Sequence, residues 1–298
     1  MGKKILEPPS GLSNHPAALY VVATPIGNLE DITARALRIL RDVALIACED
    51  TRHTTRLLRH YGIRTGTLAL HEHNEREQVP RLLARLQAGE SIALVSDAGT
   101  PLISDPGFHL VRAAQSAAIR VTPVPGACAA IAALSASGLP CDRFVFEGFP
   151  SAKAGQRRQR FQELKTEART LIFYEAPHRV LDSLRDMADA FGADRPADVA
   201  RELTKHFETI RAGSLQELVE WLSREATLQQ GEFVVSVRGA SGPSDLRDAE
   251  AERVLRILLG ALSTSQAAEL AAEISGASRR GLYQRALALR AELSNKEA

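Results

Sequence analysis

The chain has 298 residues, enough for two domains and an appendage and too many for one small core. Hydrophobic residues make up 45% and charged residues 24%, the profile of an ordinary soluble globular protein. Lys and Arg number 37 against 36 Asp and Glu, a net charge of +1, which excludes a uniformly basic nucleic-acid binder. A nucleic-acid-binding surface, if there is one, has to gather its charge locally.

Residues 1–16 mix Pro, Gly and Ser without period and read as a flexible tail, with no apolar core long enough for a signal peptide. No downstream stretch has the length and apolarity of a membrane span. Leu19–Thr24 (LYVVAT), Val43–Cys48 (VALIAC), Ile92–Ser96 (IALVS) and Arg120–Val124 are short aliphatic runs that predict buried strands. Asp31 is placed to cap a helix on which Ile32, Ala36, Ile39 and Leu40 share a face. Gly126–Ser137 reads as a small-residue helix packed closely on the sheet, which completes a first α/β domain over 17–138. A second α/β domain over 139–240 takes Phe144–Phe149, Thr170–Ala176, Val199–Leu203 and Glu232–Arg238 as strands. Pro177 is positioned to open a helix that Gly192 ends, and Ser214 with Glu217 predicts a capping box before the helix carrying Trp221. The alternation of strands and amphipathic stretches predicts βα units and largely parallel sheets.

Gly239–Asp245 (GASGPSD) reads as a linker. Beyond it Ala249–Leu259, Ser265–Ile274 and Ser278–Leu293 predict three helices, the last two joined at Gly276, in a domain over 245–298. The stretch TSQAAELAAEISGASRRGLYQRAL resembles a helix-turn-helix. Ala267, Ala268 and Ala271 permit close packing, and Arg279, Arg280 and Arg285 fall on the second helix. A three-helix packing module fits the same pattern. Cys48, Cys128 and Cys141 are odd in number and far apart, so reduced thiols in a cytoplasm are expected rather than disulfides or a zinc site.

Three loops stand out: TPIGN (Thr24–Asn28), SDAGTP (Ser96–Pro101) and PVPGACAA (Pro123–Ala130). Each follows a predicted strand and precedes a helix, which places it at the carboxyl edge where open α/β sheets bind ligands. Gly and Pro there let the backbone approach a ligand closely. Neither G-x-G-x-x-G nor G-x-x-x-x-G-K-[ST] is present, so dinucleotide and P-loop readings lose their fingerprints.

Three longer motifs contain further candidates for chemistry. CEDTRHT (Cys48–Thr54) supplies Glu49, Asp50 and Arg52; HEHNE (His71–Glu75) supplies His71, Glu72 and Glu75; FYEAPHR (Phe173–Arg179) supplies Glu175. His71 and His73 are spaced as a metal pair, but no third ligand is near, so no metal is expected. With TPIGN, VSDAGTPLISDPG (Val95–Gly107) and ARELTK (Ala200–Lys205) in the same order, these resemble the motifs of the ribosomal RNA small subunit methyltransferase I family. The likeness runs from about Leu19 to Gly239, and the terminal helices match that family's helical C-terminal domain less distinctively.

The resemblance implies two α/β domains of the tetrapyrrole-methylase (class III methyltransferase) type around a bent S-adenosyl-L-methionine, plus a small C-terminal all-helical domain. It implies methylation of the 2′-hydroxyl of cytidine 1402 in 16S rRNA of the 30S ribosomal subunit, by a cytoplasmic homodimer. By motif, Pro25, Ile26 and Gly27 form the first cofactor loop, Asp97, Ala98, Gly99 and Thr100 the second, and Ala127, Cys128 and Ala129 the neighbouring wall, with Tyr174 closing over them. His71, Glu72, Asp50 and Arg52 are expected to organise the acceptor ribose and take its proton. Lys153, Arg157, Arg158 and Arg160 form the densest cationic stretch, and Arg179, Arg201 and Lys205 sit in family motifs, so these are expected to meet RNA phosphates. Two rival readings remain: a small-molecule methyltransferase acting on a tetrapyrrole-type acceptor, and a DNA-binding regulator built on the terminal helices.

Overall fold

The computed structural model describes residues 17–240 and 243–294; the tail expected over 1–16 lies outside them. The described residues divide into two compact units, one made of residues 17–163 with Thr170–Val237, the other of Leu164–Arg169 with the described residues from Arg238 onward. Both sheets belong to the first unit.

The first sheet has the order β3-β2-β4-β1-β5, built from β1 (Ala18–Val22), β2 (Leu45–Cys48), β3 (Thr67–Ala69), β4 (Ile92–Val95) and β5 (Arg120–Val124). All its pairings are parallel, as the buried aliphatic runs predict. One face packs Tyr20, Val22 and Ile46 against α1 (Ala34–Asp42) and α2 (Thr51–His60). The other packs Leu19, Ile92 and Leu94 against Leu82 and Leu86 of α3 (Glu75–Gln87) and Leu110 and Ala114 of α4 (Phe108–Ser116). Ala36, Ile39 and Leu40 are buried on α1 as expected, but Thr33 rather than Asp31 caps it, its Oγ1 accepting from the Ala36 N–H at 3.1 Å. Asp31 instead lies in a short 3-10 turn that Asn28 caps.

The second sheet has the order β6-β7-β10-β8-β9: β6 (Phe144–Gly148), β7 (Thr170–Glu175), β8 (Pro196–Arg201), β9 (Thr209–Ser214) and β10 (Phe233–Val237). Here the expectation of a largely parallel sheet fails. Only β6 and β7 are parallel; β10 runs antiparallel to both β7 and β8, and β8 to β9. The reason is chain geometry. β8 and β9 are joined by a short loop, too short for a crossover helix, so they must reverse direction. Glycine-bearing β9 (TIRAGS) lies at the sheet edge with three exposed residues, which weakens the apolar alternation of its sequence.

Helix α5 (Ala129–Ala136) starts three residues later than the Gly126 start expected for it. Its Ala130, Ala133 and Leu134 pack on Ile172, Ala200 and Val234 of the second sheet, where small side chains permit close approach. Beyond β6 come α6 (Ala154–Glu163), α7 (Val180–Phe191) and α8 (Leu215–Ser223). Phe161 stacks edge-on to Phe173 at 5.5 Å and is fully buried; truncating such a ring typically removes about 3–5 kcal/mol. The Ser214–Glu217 capping box forms as predicted, and Gly192 ends α7. Pro177 does not open α7: it lies in a turn, and the helix begins at Val180.

The other unit contains α9 (Pro243–Leu259), α10 (Thr264–Ser275) and α11 (Arg279–Ser294). The predicted linker is therefore shorter than Gly239–Asp245, because the helix already starts at Pro243. Leu164–Arg169, expected within the second α/β domain, belongs to this unit: Ala240 N–H donates to the Glu167 carbonyl at 2.6 Å. Ala267, Ala268 and Ala271 are buried with Leu255, Leu282 and Ala286, and Gly276 turns the chain between α10 and α11 in the left-handed conformation. Arg256 and Arg285 converge on Glu252 at 2.7 and 2.9 Å.

One buried group on the second sheet works against stability. Asp198 of β8 is fully buried beside its cross-strand neighbour Ser236, and neither carboxylate oxygen has a hydrogen-bond partner among the described residues. Burial pushes this carboxyl up to about 6 from its ordinary 3.8. The native state then holds a proton that the unfolded chain has released, so stability falls as pH rises through roughly 4 to 6 and stays lower above. Asp198→Asn should remove that fall and raise stability at pH 8 by roughly 1–3 kcal/mol. Urea unfolding at pH 4, 6 and 8 checks it; an unchanged slope with pH would contradict the assignment.

Candidate functional site

Strands β1, β4 and β5 are neighbours in the first sheet, so the loops that leave them emerge side by side. Hydrogen bonds lock them together. Thr24 and Gly99 exchange both backbone bonds, at 2.9 and 3.0 Å, joining the first loop to the second. Thr100 Oγ1 donates to the Ala127 carbonyl at 3.0 Å, joining the second to the third. The Ala130 N–H, at the start of α5, donates to the Tyr174 hydroxyl at 3.2 Å, so the chain of bonds reaches the second sheet. Gly99 holds the middle of this chain at φ +77°, a left-handed conformation that a Cβ would strain.

These loops form one wall of a cleft of about 380 Å³, whose other wall comes from β7, β8 and β10. The size suits a small organic ligand. Ile26, Asp97, Ala98, Gly99, Thr100, Ala129 and Tyr174, all predicted, line it. Pro25 and Gly27 instead line an adjoining groove of about 450 Å³ that shares Ile26, Asp97, Ala98 and Glu232 with the cleft. Ala127 and Cys128 line neither; the first accepts from Thr100 and the second precedes α5. Phe146 and Phe149 pack edge-on against Tyr174 at 4.9 and 5.5 Å, giving the cleft an aromatic side.

The polar side is acidic. Asp97, Asp105, Glu175 and Glu232 all line the cleft. Burial pushes the Asp105 carboxyl up to about 6, with the charges of Glu49 and Asp97 adding to the rise and a hydrogen bond from Ser96 opposing it. Glu49 is raised by burial and by Asp97, while His71 draws it down. Asp105 was not singled out in the sequence, although it lies within the VSDAGTPLISDPG motif; only the fold brings it opposite Tyr174. Leu102, Ser104, Glu202 and Thr204 all hold positive φ, and they lie in the two loops that flank the cleft. Backbone strain of this kind gathers at functional sites.

The expected acceptor-binding residues divide. Asp50 caps α2 and pairs with Arg52 at 2.8 Å, which holds its carboxyl well below the usual carboxylate range and makes it a poor proton acceptor. Its backbone N–H donates to Asp97 Oδ1 at 3.0 Å, so it positions Asp97. Glu75 is not a base either: it is buried and accepts from the His109 and Leu110 N–H groups at the start of α4. The Nδ1 of His71 is buried without a hydrogen-bond partner, while Glu72 is exposed. Among the described residues no group of three or more His, Cys, Asp or Glu side chains is arranged to hold a metal ion.

The predicted cationic stretch is largely neutralised. Arg157 is buried, with Nη2 2.6 Å from Asp186, and Arg158 shares the same carboxylate at 2.8 Å. Arg160 pairs with Glu147 at 2.9 Å and Glu163 at 3.1 Å. Lys153 remains exposed. Arg179 pairs with buried Glu175, Lys205 with Glu202 and Glu232, and Arg201 donates to the Gln230 and Thr227 carbonyls. Spacing along α6 shows the positive charges but not the acids on α7 and β6 that meet them.

Known proteins resemble this chain in sequence and in fold. Residues 18–219 match the tetrapyrrole (corrin/porphyrin) methylases, and residues 245–290 match the RsmI C-terminal HTH domain. Ribosomal RNA small subunit methyltransferase I of Pseudomonas aeruginosa is 61% identical over 271 residues, 90% of this chain and 96% of the relative. Its counterpart from Escherichia coli O157:H7 is 52% identical over 274 residues, 92% and 96% respectively. Among solved structures, the methyltransferase CobJ aligns with a TM-score of 0.56 at 18% identity over 76% of this chain and 95% of its own. Uroporphyrin-III C-methyltransferase from Thermus thermophilus, complexed with S-adenosyl homocysteine, aligns at 0.52 and 17% identity over 75% and 98%. These two share the fold. Matched along most of its length by both family and relatives, the chain belongs to the tetrapyrrole methylases and, among them, to the ribosomal RNA small subunit methyltransferase I family.

Proposed function

We propose that this protein transfers a methyl group from S-adenosyl-L-methionine to the ribose 2′-hydroxyl of cytidine 1402 in 16S rRNA of the small ribosomal subunit. The observation that carries the reading is the acidic cleft between the bonded loops and Tyr174, in a chain whose relatives are named for methylating that RNA. A cytoplasmic setting and pairing as a homodimer belong to the same reading and rest on the family likeness.

The residues present fit the cofactor. A sulfonium and an amino group are cationic, and the cleft offers Asp97, Asp105 and Glu232 with no unpaired cation among its lining. Gly99 has no side chain to keep a ligand off its backbone, and Tyr174, Phe149 and Val234 give an apolar face for a purine. Bound there, S-adenosylmethionine supplies a methyl on a positively charged sulfur that leaves as a neutral thioether. What remains for the chain is orientation and proton removal, and orientation is the larger contribution, up to roughly 7–11 kcal/mol.

Asp105 is the best-placed proton acceptor, because it lines the cleft and is neither capped nor ion-paired. Its raised affinity for a proton also brings it closer to the weakly acidic hydroxyl it must serve. His71 and Glu49 sit beside the same acidic edge, where a charge on His71 would steady the carboxylates. Asp50 and Arg52 set the position of Asp97 and the rim, and exposed Glu72 joins them as an acceptor contact. Alanine at His71, Glu72, Asp50 or Arg52 should lower methylation while cofactor affinity stays near parental.

Labelled methyl from S-adenosylmethionine, presented with 30S subunits lacking the modification, should appear on one ribose, at cytidine 1402. Label on a base, or none at all, would overturn the reading. Gly99→Ala should weaken S-adenosyl homocysteine binding roughly tenfold in calorimetry, from about 1–2 kcal/mol of left-handed strain. Parental affinity would show that the Gly99 turn does not hold the ligand. Asp105→Asn should cut the single-turnover rate by about 10²–10⁴ and abolish the rate increase through pH 6 that the ionising carboxyl gives the parent. A parental pH profile in the variant would exclude Asp105 as the proton acceptor.

A further inference from the structure

Methylation of RNA requires a surface that attracts phosphates, and the acidic cleft repels them. The basic stretch on α6 is occupied by its own carboxylates. Helix α2 has the opposite character. Its sequence, TRHTTRLLRH, contains three Arg, two His and no acid. Thr54 and Leu58 are buried on the first sheet, which leaves Arg52, His53, Arg56, Arg59 and His60 exposed.

Arg52, Arg56 and Arg59 stand at i, i+4 and i+7, so they form one stripe along the helix. A shallow groove of about 440 Å³ runs beside that stripe, and its walls are these three arginines with Thr51, Thr55 and Thr67. Guanidinium forks are the usual phosphate contacts of a nucleic-acid surface; the Thr55 hydroxyl between them is turned inward, donating to the Thr51 carbonyl. Arg56 also lines the groove on its other side, together with His53, His60 and the Asp97–Ala98 turn. That second groove shares Asp97 and Ala98 with the cleft. A continuous path therefore leads from the arginine stripe, past Arg56, to the reaction site. Among the described residues no carboxylate lies within ion-pair distance of Arg56 or Arg59, whereas Arg52 is paired with Asp50.

We propose that the exposed face of α2 is the phosphate-binding track for the RNA, with Arg56 and Arg59 holding backbone phosphates of the strand whose target ribose reaches over the Asp97–Ala98 turn into the cleft. This rests on the reading of the protein as an rRNA methyltransferase. The path has a sense. Arg59 holds the strand farther from the cleft and Arg56 nearer to it, with Arg52 at the helix start completing the contact once the RNA competes with Asp50. The arginine stripe supplies affinity without reading bases, and shape at the turn selects the nucleotide.

The test uses the full-length protein and 30S subunits lacking the methyl group, with RNA binding measured across a salt series. Each phosphate contact to a single strand contributes about 0.7 to the slope of log K against log salt, so Arg56→Ala/Arg59→Ala should lower the slope by about 1.4. The charge-conserving Arg56→Lys/Arg59→Lys should retain the parental slope, and Lys153→Ala/Arg158→Ala should leave it unchanged. Calorimetric binding of S-adenosyl homocysteine reports whether each variant is folded; if the alanine pair fails to fold, Arg59→Ala alone should still lower the slope by about 0.7. A parental slope in folded alanine variants would overturn the track. A parent enzyme that neither binds nor methylates the 30S subunit would instead overturn the rRNA reading itself, so the two failures are distinguishable.

Discussion

The site depends on a relay of hydrogen bonds across the carboxyl edge of the first sheet. Thr24 binds Gly99, Thr100 binds Ala127, and Ala130 binds Tyr174 on the second sheet. Each bond alone contributes only about 1 kcal/mol, so their value lies in geometry more than in stability. They hold three loops and one tyrosine in fixed relation before any ligand arrives, and this preorganisation is what a methyl transfer needs most. The small side chains of α5 serve the same end, because they let Ala130 and Ala133 seat the first sheet's last loop directly on Ile172, Ala200 and Val234.

Charge is divided with similar economy. The net charge is +1, yet carboxylates line the cleft and arginines line α2. The carboxylates suit a sulfonium ligand, and the arginines suit a polyanion. Asp50 sits at the boundary: its side chain caps α2 and pairs with Arg52, while its backbone N–H holds Asp97. One residue thus connects the basic helix to the acidic cleft.

Much of this was readable in the sequence. The aliphatic runs of the first sheet, the three Gly/Pro loops, the Ser214 capping box and the Gly276 turn follow local rules of period, capping and φ, and they appear where those rules place them. The second sheet departs from the sequence expectation because strand direction is set by connection length and not by composition, and because β9 lacks a clean apolar alternation. Helix starts shifted where a neighbouring hydroxyl, Thr33 rather than Asp31, made the better cap. The residues whose roles differ from the sequence expectation, or escape it, are those defined by partners far along the chain. Arg157 looks like a surface cation until Asp186 is found beside it, Glu75 looks like a base until α4 donates to it, and Asp105 looks like a turn residue until β7 brings Tyr174 across the cleft. The arginines of α2 stand in TRHTTRLLRH, but their exposure, and the absence of a carboxylate beside Arg56 and Arg59 among the described residues, are tertiary facts.

The central claim is that the bonded loops and Tyr174 form a single cradle for the methyl donor. A crystal structure of the full-length protein with S-adenosyl homocysteine tests it most directly. The ligand is expected against the backbone of Ala98 and Gly99, with Tyr174 across from it and Asp105 beside the vacated methyl position. Ligand bound outside that cleft, or with Asp105 and Tyr174 on the far side of the protein from its sulfur, would contradict the claim.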